Sequence, residues 1–218
     1  MKRVAIIVLS DEGYKGNRVD ECGPLIQEIV SDAGYRVLIK KLLPDEPTQL
    51  REVLCTLCDS KKVDLILTSG GTGFSPRDIT PEVTLDVIDR QTPGIPEAMR
   101  YYSMQYTNRA MLSRAVAGIR HSTLIVNLPG SPKAVRECLE YILPELGHGL
   151  AILLGEEGNC ARDHEEEFCI DRMVSNLNRE FNTDKFEESL MDEMLREIER
   201  NIKQDIMKEL EYGTNQSD

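Results

Sequence analysis

The stretch Arg3-Val-Ala-Ile-Ile-Val-Leu9 is apolar at nearly every position, and no other feature constrains the fold of this chain as much. A strand covered on one face alternates apolar and polar side chains, whereas a strand buried on both faces of a parallel sheet does not. Residues 35–43 and 63–68 read as a second and a third strand. Segments of helical period lie between them. One spans 24–33, with Gly23 before it and Gly34 past its end; the other spans 47–60, with Pro47 suited to a first turn. Thr80 is placed to cap a further helix that has Pro81 in its first turn and continues through 83–89. Residues 93–106 read as helical, 115–119 and 122–127 as a pair of β segments, and 131–143 and 144–154 as two more helices. Strands alternating with helices predict an α/β fold, a three-layer αβα sandwich around a mostly parallel sheet.

The charge divides the chain. Its 218 residues carry a net charge of -12, but residues 164–218 hold 7 basic and 16 acidic side chains, leaving only 19 and 22 in residues 1–163. We therefore expect one α/β domain over 1–163 and an acidic helical C-terminal extension over 164–218. Within the extension, 165–182 and 184–211 read as helices. Phe186, Leu190, Met194, Ile198, Ile202, Ile206 and Leu210 recur every four residues in the second, so its apolar stripe winds around the axis. Such a stripe suits docking across a curved groove better than a long coiled coil, and a protein partner recruited through the acidic tail is one expectation. The acidity argues against nucleic-acid binding, which relies on basic side chains to replace phosphate counterions. It equally disfavours an anionic membrane surface. The run from Val4 to Leu9 falls far short of the roughly 20 residues that span a bilayer. Asp11 and Glu12 follow it too soon for a signal peptide, so the chain reads as cytoplasmic.

Six scattered cysteines, at 22, 55, 58, 138, 160 and 169, do not form a disulfide framework, in keeping with that compartment. Cys55 and Cys58 lie three apart in a helical segment and read as residues of its buried face. A zinc site would want a second pair, and none has the right spacing. His121, His148 and His164 show no metal-ligand spacing.

Chemistry in an open α/β sheet belongs outside the carboxyl ends of its strands. Leu43-Pro-Asp45-Glu46-Pro47 follows the second strand there, and Thr68-Ser69-Gly70-Gly71-Thr72-Gly73-Phe-Ser-Pro-Arg77-Asp78-Ile-Thr-Pro81 follows the third. Glycines let backbone N–H groups approach a phosphate closely, and the helix opening at Thr80 directs its positive end the same way. Asn127-Leu-Pro129-Gly130-Ser131-Pro-Lys133 also leaves a strand and opens a helix, with Ser131 placed to cap it. Lys133 in that first turn opposes the helix dipole unless an anion binds there. Neither a Walker A spacing nor a Gly-x-Gly-x-x-Gly after the first strand is present.

The segment from Thr68 to Glu82 resembles the signature of the MogA/MoaB family of molybdenum-cofactor biosynthesis, which the related domains of gephyrin and the plant Cnx proteins share. Leu43-Pro-Asp-Glu46, Thr92-Pro-Gly94, Met111-Leu-Ser-Arg114, Ala117-Gly-Ile-Arg120 and Leu128-Pro-Gly-Ser-Pro132 extend the resemblance over roughly residues 3 to 155. There are two departures. Asp20-Glu-Cys22-Gly-Pro24 has Cys where the family usually has Ser, and the acidic tail has no counterpart in the family pattern.

The resemblance implies a three-layer α/β homotrimer that transfers an adenylyl group from ATP to molybdopterin, with Mg2+ screening the phosphates. It implies Asp45 and Asp78 as catalytic carboxylates and Mg2+ ligands, with Glu46 an alternative to Asp45. It further implies Ser10, Asp11, Ser69, Gly70, Gly71, Thr72, Gly73, Ser113, Arg114, Pro129, Gly130 and Ser131 as substrate contacts. Arg77 has a solvated loop charge as its alternative, and Arg114 an ion pair within or between subunits. Three other functions stay open: pterin binding without adenylylation, as in a MoaB-like carrier; hydrolysis of a nucleotide pyrophosphate, since the CinA family carries a related domain; and an interaction scaffold.

Overall fold

The computed structural model describes residues 1–156. The domain boundary expected near Asp163 and the acidic helical extension lie outside the described residues. Six strands form one sheet in the order β2-β1-β3-β6-β5-β4. They are β1 (Arg3–Leu9), β2 (Arg36–Leu43), β3 (Leu65–Ser69), β4 (Arg90–Gln91), β5 (Ala117–Arg120) and β6 (Thr123–Leu128). β1 pairs in parallel with β2 and β3, and β3 with β6; β5 and β4 complete that side antiparallel. The mostly parallel sheet expected from the sequence is therefore present. Helices α1 (Asp11–Tyr14), α2 (Cys22–Asp32), α3 (Pro47–Asp59), α4 (Thr80–Val87), α5 (Gly94–Met104) and α6 (Pro132–Leu153) follow its strands, with a 3-10 turn at Asn108–Leu112.

The unbroken apolar run of β1 has the use its pattern implies. Val4, Ile6 and Val8 pack with Ile26, Met99, Leu139 and Leu146, that is, with α2, α5 and α6. Ala5, Ile7 and Leu9 pack on the opposite face with Leu50, Leu54, Val83 and Val87, from α3 and α4. Side chains alternate across a strand, so one continuous apolar sequence supplies both cores of a three-layer sandwich. Cys58 is fully buried in the second core, and burial pushes its thiol up to about 12. Asn127 is also fully buried, at the end of β6. Its amide donates to Thr68 Oγ1 at 2.9 Å and to Thr84 Oγ1 at 3.0 Å, tying the strand to β3 and α4.

Several local expectations change. Residues 131–143 and 144–154 are one helix, not two, because α6 runs through Pro144. Proline removes one ladder hydrogen bond, but the carbonyl left without it is on the exposed side. The apolar stripe of Leu139, Ile142, Leu143, Leu146 and Leu150 stays buried across the break and keeps the helix on the sheet. Thr80 does not cap α4 either. It is the helix's first residue, and its hydroxyl donates to the Gly70 carbonyl at 2.9 Å. α2 starts at Cys22, two residues before Pro24.

At the opposite end of β3 from the glycine loop, Asp64 is nearly buried and accepts three bonds from Arg3. These come from its backbone N–H at 2.7 Å, Nε at 3.0 Å and Nη2 at 2.6 Å. Burial pushes the carboxyl up, but the Arg3 hydrogen bonds and charge together outweigh burial and hold it below its ordinary value. A carboxyl depressed by folding contributes stability above its unfolded pKa, and that contribution is lost as pH falls through the folded value. Asp64→Asn is therefore expected to cost about 2 kcal/mol near neutrality. In urea titrations at successively lower pH, the gap from wild type should close below the usual carboxylate range. A gap that stays constant into strong acid would contradict this.

Candidate active site

Because β1, β2, β3 and β6 run in parallel, their carboxyl ends put four loops along one edge. Ser10 and Asp11 leave β1, Pro44 to Glu46 leave β2, the glycine loop leaves β3, and Pro129 to Ser131 leave β6. They enclose a cleft of about 340 Å³ whose walls include Ser10, Asp11, Asp45, Ser69, Gly70, Gly71, Asp78 and Gly130. A second, more apolar cleft of about 290 Å³ is lined by Thr72, Gly73, Ser113 and Pro129 together with α5 and the 3-10 turn. Most of the residues expected at the site are thus gathered at one sheet edge, but they divide between two clefts that share the glycine loop. Ser131 and Arg114 line neither. Ser131 caps α6, accepting the Ala134 N–H at 3.4 Å. Arg114 donates to the carbonyls of Gly73 at 2.6 Å and Asp78 at 2.7 Å and pairs with Glu82, bracing the loop.

The loop depends on glycine at two places. Gly70 adopts φ +100°, and an added Cβ would lie 2.3 Å from the Leu9 carbonyl oxygen. Gly71 adopts φ +64°, and a Cβ there would lie 2.4 Å from Thr80 Oγ1 and 3.1 Å from Asp45 Oδ1. A methyl group there would crowd that carboxylate oxygen. Asp45 Oδ1 is buried without a hydrogen-bond partner among the described residues. Its other oxygen accepts the Asp11 N–H at 3.1 Å, and the Asp45 N–H returns a 3.1 Å bond to Asp11 Oδ1. Burial pushes the Asp45 carboxyl up; the Asp11 N–H opposes this, while the charges of Asp11 and Asp78 add to it. Asp78 Oδ2 accepts the Ser75 N–H at 2.9 Å.

Arg77 is half exposed, as its solvated-charge alternative has it, but it is also paired. Its Nε and Nη2 grip the two oxygens of Asp11 at 2.9 and 3.0 Å, and Nη2 also donates to Glu46 at 2.8 Å. The hydrogen bonds from Arg77, then the Asp45 N–H, hold the Asp11 carboxyl below its ordinary value. The sequence signal was Arg77's place within the Pro-Arg-Asp motif; what stayed hidden was a partner 66 positions away. Cys22, where the family usually has Ser, lines the first cleft, and its thiol lies 3.6 Å from the Gly130 carbonyl.

Divalent magnesium takes oxygen ligands, commonly one or two carboxylates with the remainder from water and substrate phosphate. No cluster of three or more acidic, His or Cys side chains suited to a metal is present among the described residues. An unpartnered buried carboxylate oxygen on Asp45, with Asp78 lining the same cleft, nevertheless fits an ion shared with a phosphate substrate.

Residues 5–148 match the family model described as a probable molybdopterin binding domain. A molybdopterin adenylyltransferase of Helicobacter pylori is 40% identical over 154 residues, covering 70% of this chain and 88% of that protein. The molybdopterin adenylyltransferase of Escherichia coli K12 is 41% identical over 140 residues, covering 63% and 72%. Among solved structures, the molybdopterin biosynthesis enzyme MoaB of Thermus thermophilus superposes with a TM-score of 0.68 at 47% identity, covering 71% of this chain and 98% of that one.

Proposed function

The chain belongs to the molybdopterin-binding family of MogA/MoaB cofactor-biosynthesis proteins, and on that footing we propose that it transfers the adenylyl group of Mg-ATP to molybdopterin, releasing pyrophosphate. The observation that carries this reading is Asp45 Oδ1, a buried carboxylate oxygen left unpartnered beside a glycine loop and Asp78. A buried polar atom without a partner is costly, and sites keep one where a ligand completes it.

The chemistry suits these residue types. The nucleophile is the terminal phosphate of molybdopterin, anionic at neutral pH, so no strong general base is needed. It attacks the α-phosphorus in line, forming a new phosphorus–oxygen bond as the bond to the pyrophosphate oxygen breaks. The obstacle is repulsion between two anions, so catalysis is mainly positioning and charge neutralisation. Backbone N–H groups of the Gly70 to Gly73 loop and the amino end of α4 would bind phosphate oxygens. Asp45 and Asp78 would hold Mg2+, which supplies the neutralising charge. The second cleft, largely apolar, lies across the same loop and offers room for a second planar substrate.

Asp45 is favoured over Glu46 as the functional carboxylate because Glu46 is half exposed and accepts Arg77, while Asp45 lines the cleft. Asp45→Ala is expected to lower adenylylated product by about 10³-fold in a stopped assay, the scale of losing one preorganised charge-stabilising group. Glu46→Ala should retain far more activity. The reverse order would move the role to Glu46.

A further inference from the structure

We propose that Arg77 is a positioning residue for the transfer step: its guanidinium locks Asp11, and Asp11 in turn holds Asp45 with one oxygen free for substrate. The inference rests on the adenylyl-transfer reading above and adds to it a residue that touches no reacting atom.

Four acidic side chains, Asp11, Asp45, Glu46 and Asp78, come from three loops at this sheet edge. Asp11 and Asp45 interlock by two reciprocal bonds, each carboxylate accepting the other residue's backbone N–H at 3.1 Å. Those bonds bring two like charges together, an arrangement that favours separation unless a cation offsets it. Arg77 provides that cation in a directional form. Its fork takes both Asp11 oxygens, at 2.9 and 3.0 Å, and reaches Glu46 at 2.8 Å. One guanidinium therefore spans the loops after β1, β2 and β3. Its side chain is 51% exposed, so Coulomb attraction alone contributes little. What it supplies is geometry: with Asp11 clamped, Asp45 Oδ2 is fixed by the Asp11 N–H, and Oδ1 is left as the free oxygen. A lysine ammonium has the charge without the planar fork.

The test combines kinetics with amide hydrogen exchange on the full chain. Arg77→Ala is expected to lower kcat about 10- to 100-fold, the usual scale for a group that orients a functional ligand. KM for molybdopterin and for ATP should change little. Arg77→Lys should recover only a minor part of the loss, and Arg77→Ala should cost little more on an Asp11→Ala background. Exchange at the Asp11 and Asp45 amides should accelerate about tenfold or more in Arg77→Ala, with the amides of Ile6 and Ile66 in β1 and β3 unchanged. Full recovery by Arg77→Lys, additivity with Asp11→Ala, or unchanged exchange at Asp11 and Asp45 would each overturn the positioning role. Absence of product with the wild-type protein would overturn the adenylyl-transfer reading alone, because exchange reports the positioning of Asp45 without turnover.

Discussion

Asp78→Asn is expected to bind molybdopterin as wild type does and to form almost no adenylylated product. The asparagine carbonyl can still accept the Ser75 N–H, now made to Asp78 Oδ2 at 2.9 Å, so the loop keeps its turn. What disappears is one negative charge in the cleft that also holds Asp45. A group acting only on charge as it develops in the transition state affects kcat and kcat/KM together and leaves ground-state binding alone. The expected loss is about 10³-fold in kcat, comparable to removing one preorganised group from a site of this kind. Molybdopterin titration followed by fluorescence would separate the two quantities. Wild-type turnover by Asp78→Asn would remove Asp78 from the mechanism.

Gly70→Ala is expected to be the most damaging single methyl group at the site. Its φ of +100° lies where side chains are strained, and its Cβ would meet a backbone oxygen, Leu9 O, at 2.3 Å. Relief would require the ends of β1 and β3 to separate, where Val8 and Ser69 are paired. Strain and displacement together are expected to cost about 3 kcal/mol or more. For a chain of this length that corresponds to a Tm lowered by about 6–12 °C. Gly149→Ala serves as the contrast, because that glycine is inside α6 and an added Cβ meets nothing within 4 Å. It should be neutral or stabilising by up to about 1 kcal/mol. Equal melting of the two variants would mean that the loop relaxes freely.

Much of this architecture could be read before any coordinates. The run Val4 to Leu9 specified a strand buried on both faces, and its alternate residues do fill two separate cores. Parallel order then sent the loops bearing Asp45, Gly70 and Gly130 to one edge. The misreadings have local physical causes. Proline usually ends a helix, yet a buried stripe of leucines on the opposite side carries α6 past Pro144. Thr80 has a capping residue's type, whereas its hydroxyl donates to the Gly70 carbonyl across the loop. β4 is two residues long and takes its conformation from pairing with β5, which no local pattern signals. At the site, residue types mark the acidic and glycine loops, and the family resemblance singles out Asp45 and Asp78. Long-range partners decide the rest: Arg77 pairs with Asp11, and Arg114 donates to the loop carbonyls.

The proposed activity of this cleft is the joining of an adenylyl group to molybdopterin. Its most direct measurement uses ATP labelled at the α-phosphate, incubated with purified full-length protein, molybdopterin and magnesium. Label should appear in the pterin product in step with pyrophosphate release, and both should vanish in Asp45→Ala. Tight molybdopterin binding with neither product would instead make the protein a pterin carrier, and pyrophosphate release with the label left on free AMP would make it a hydrolase. Either result would contradict adenylyl transfer.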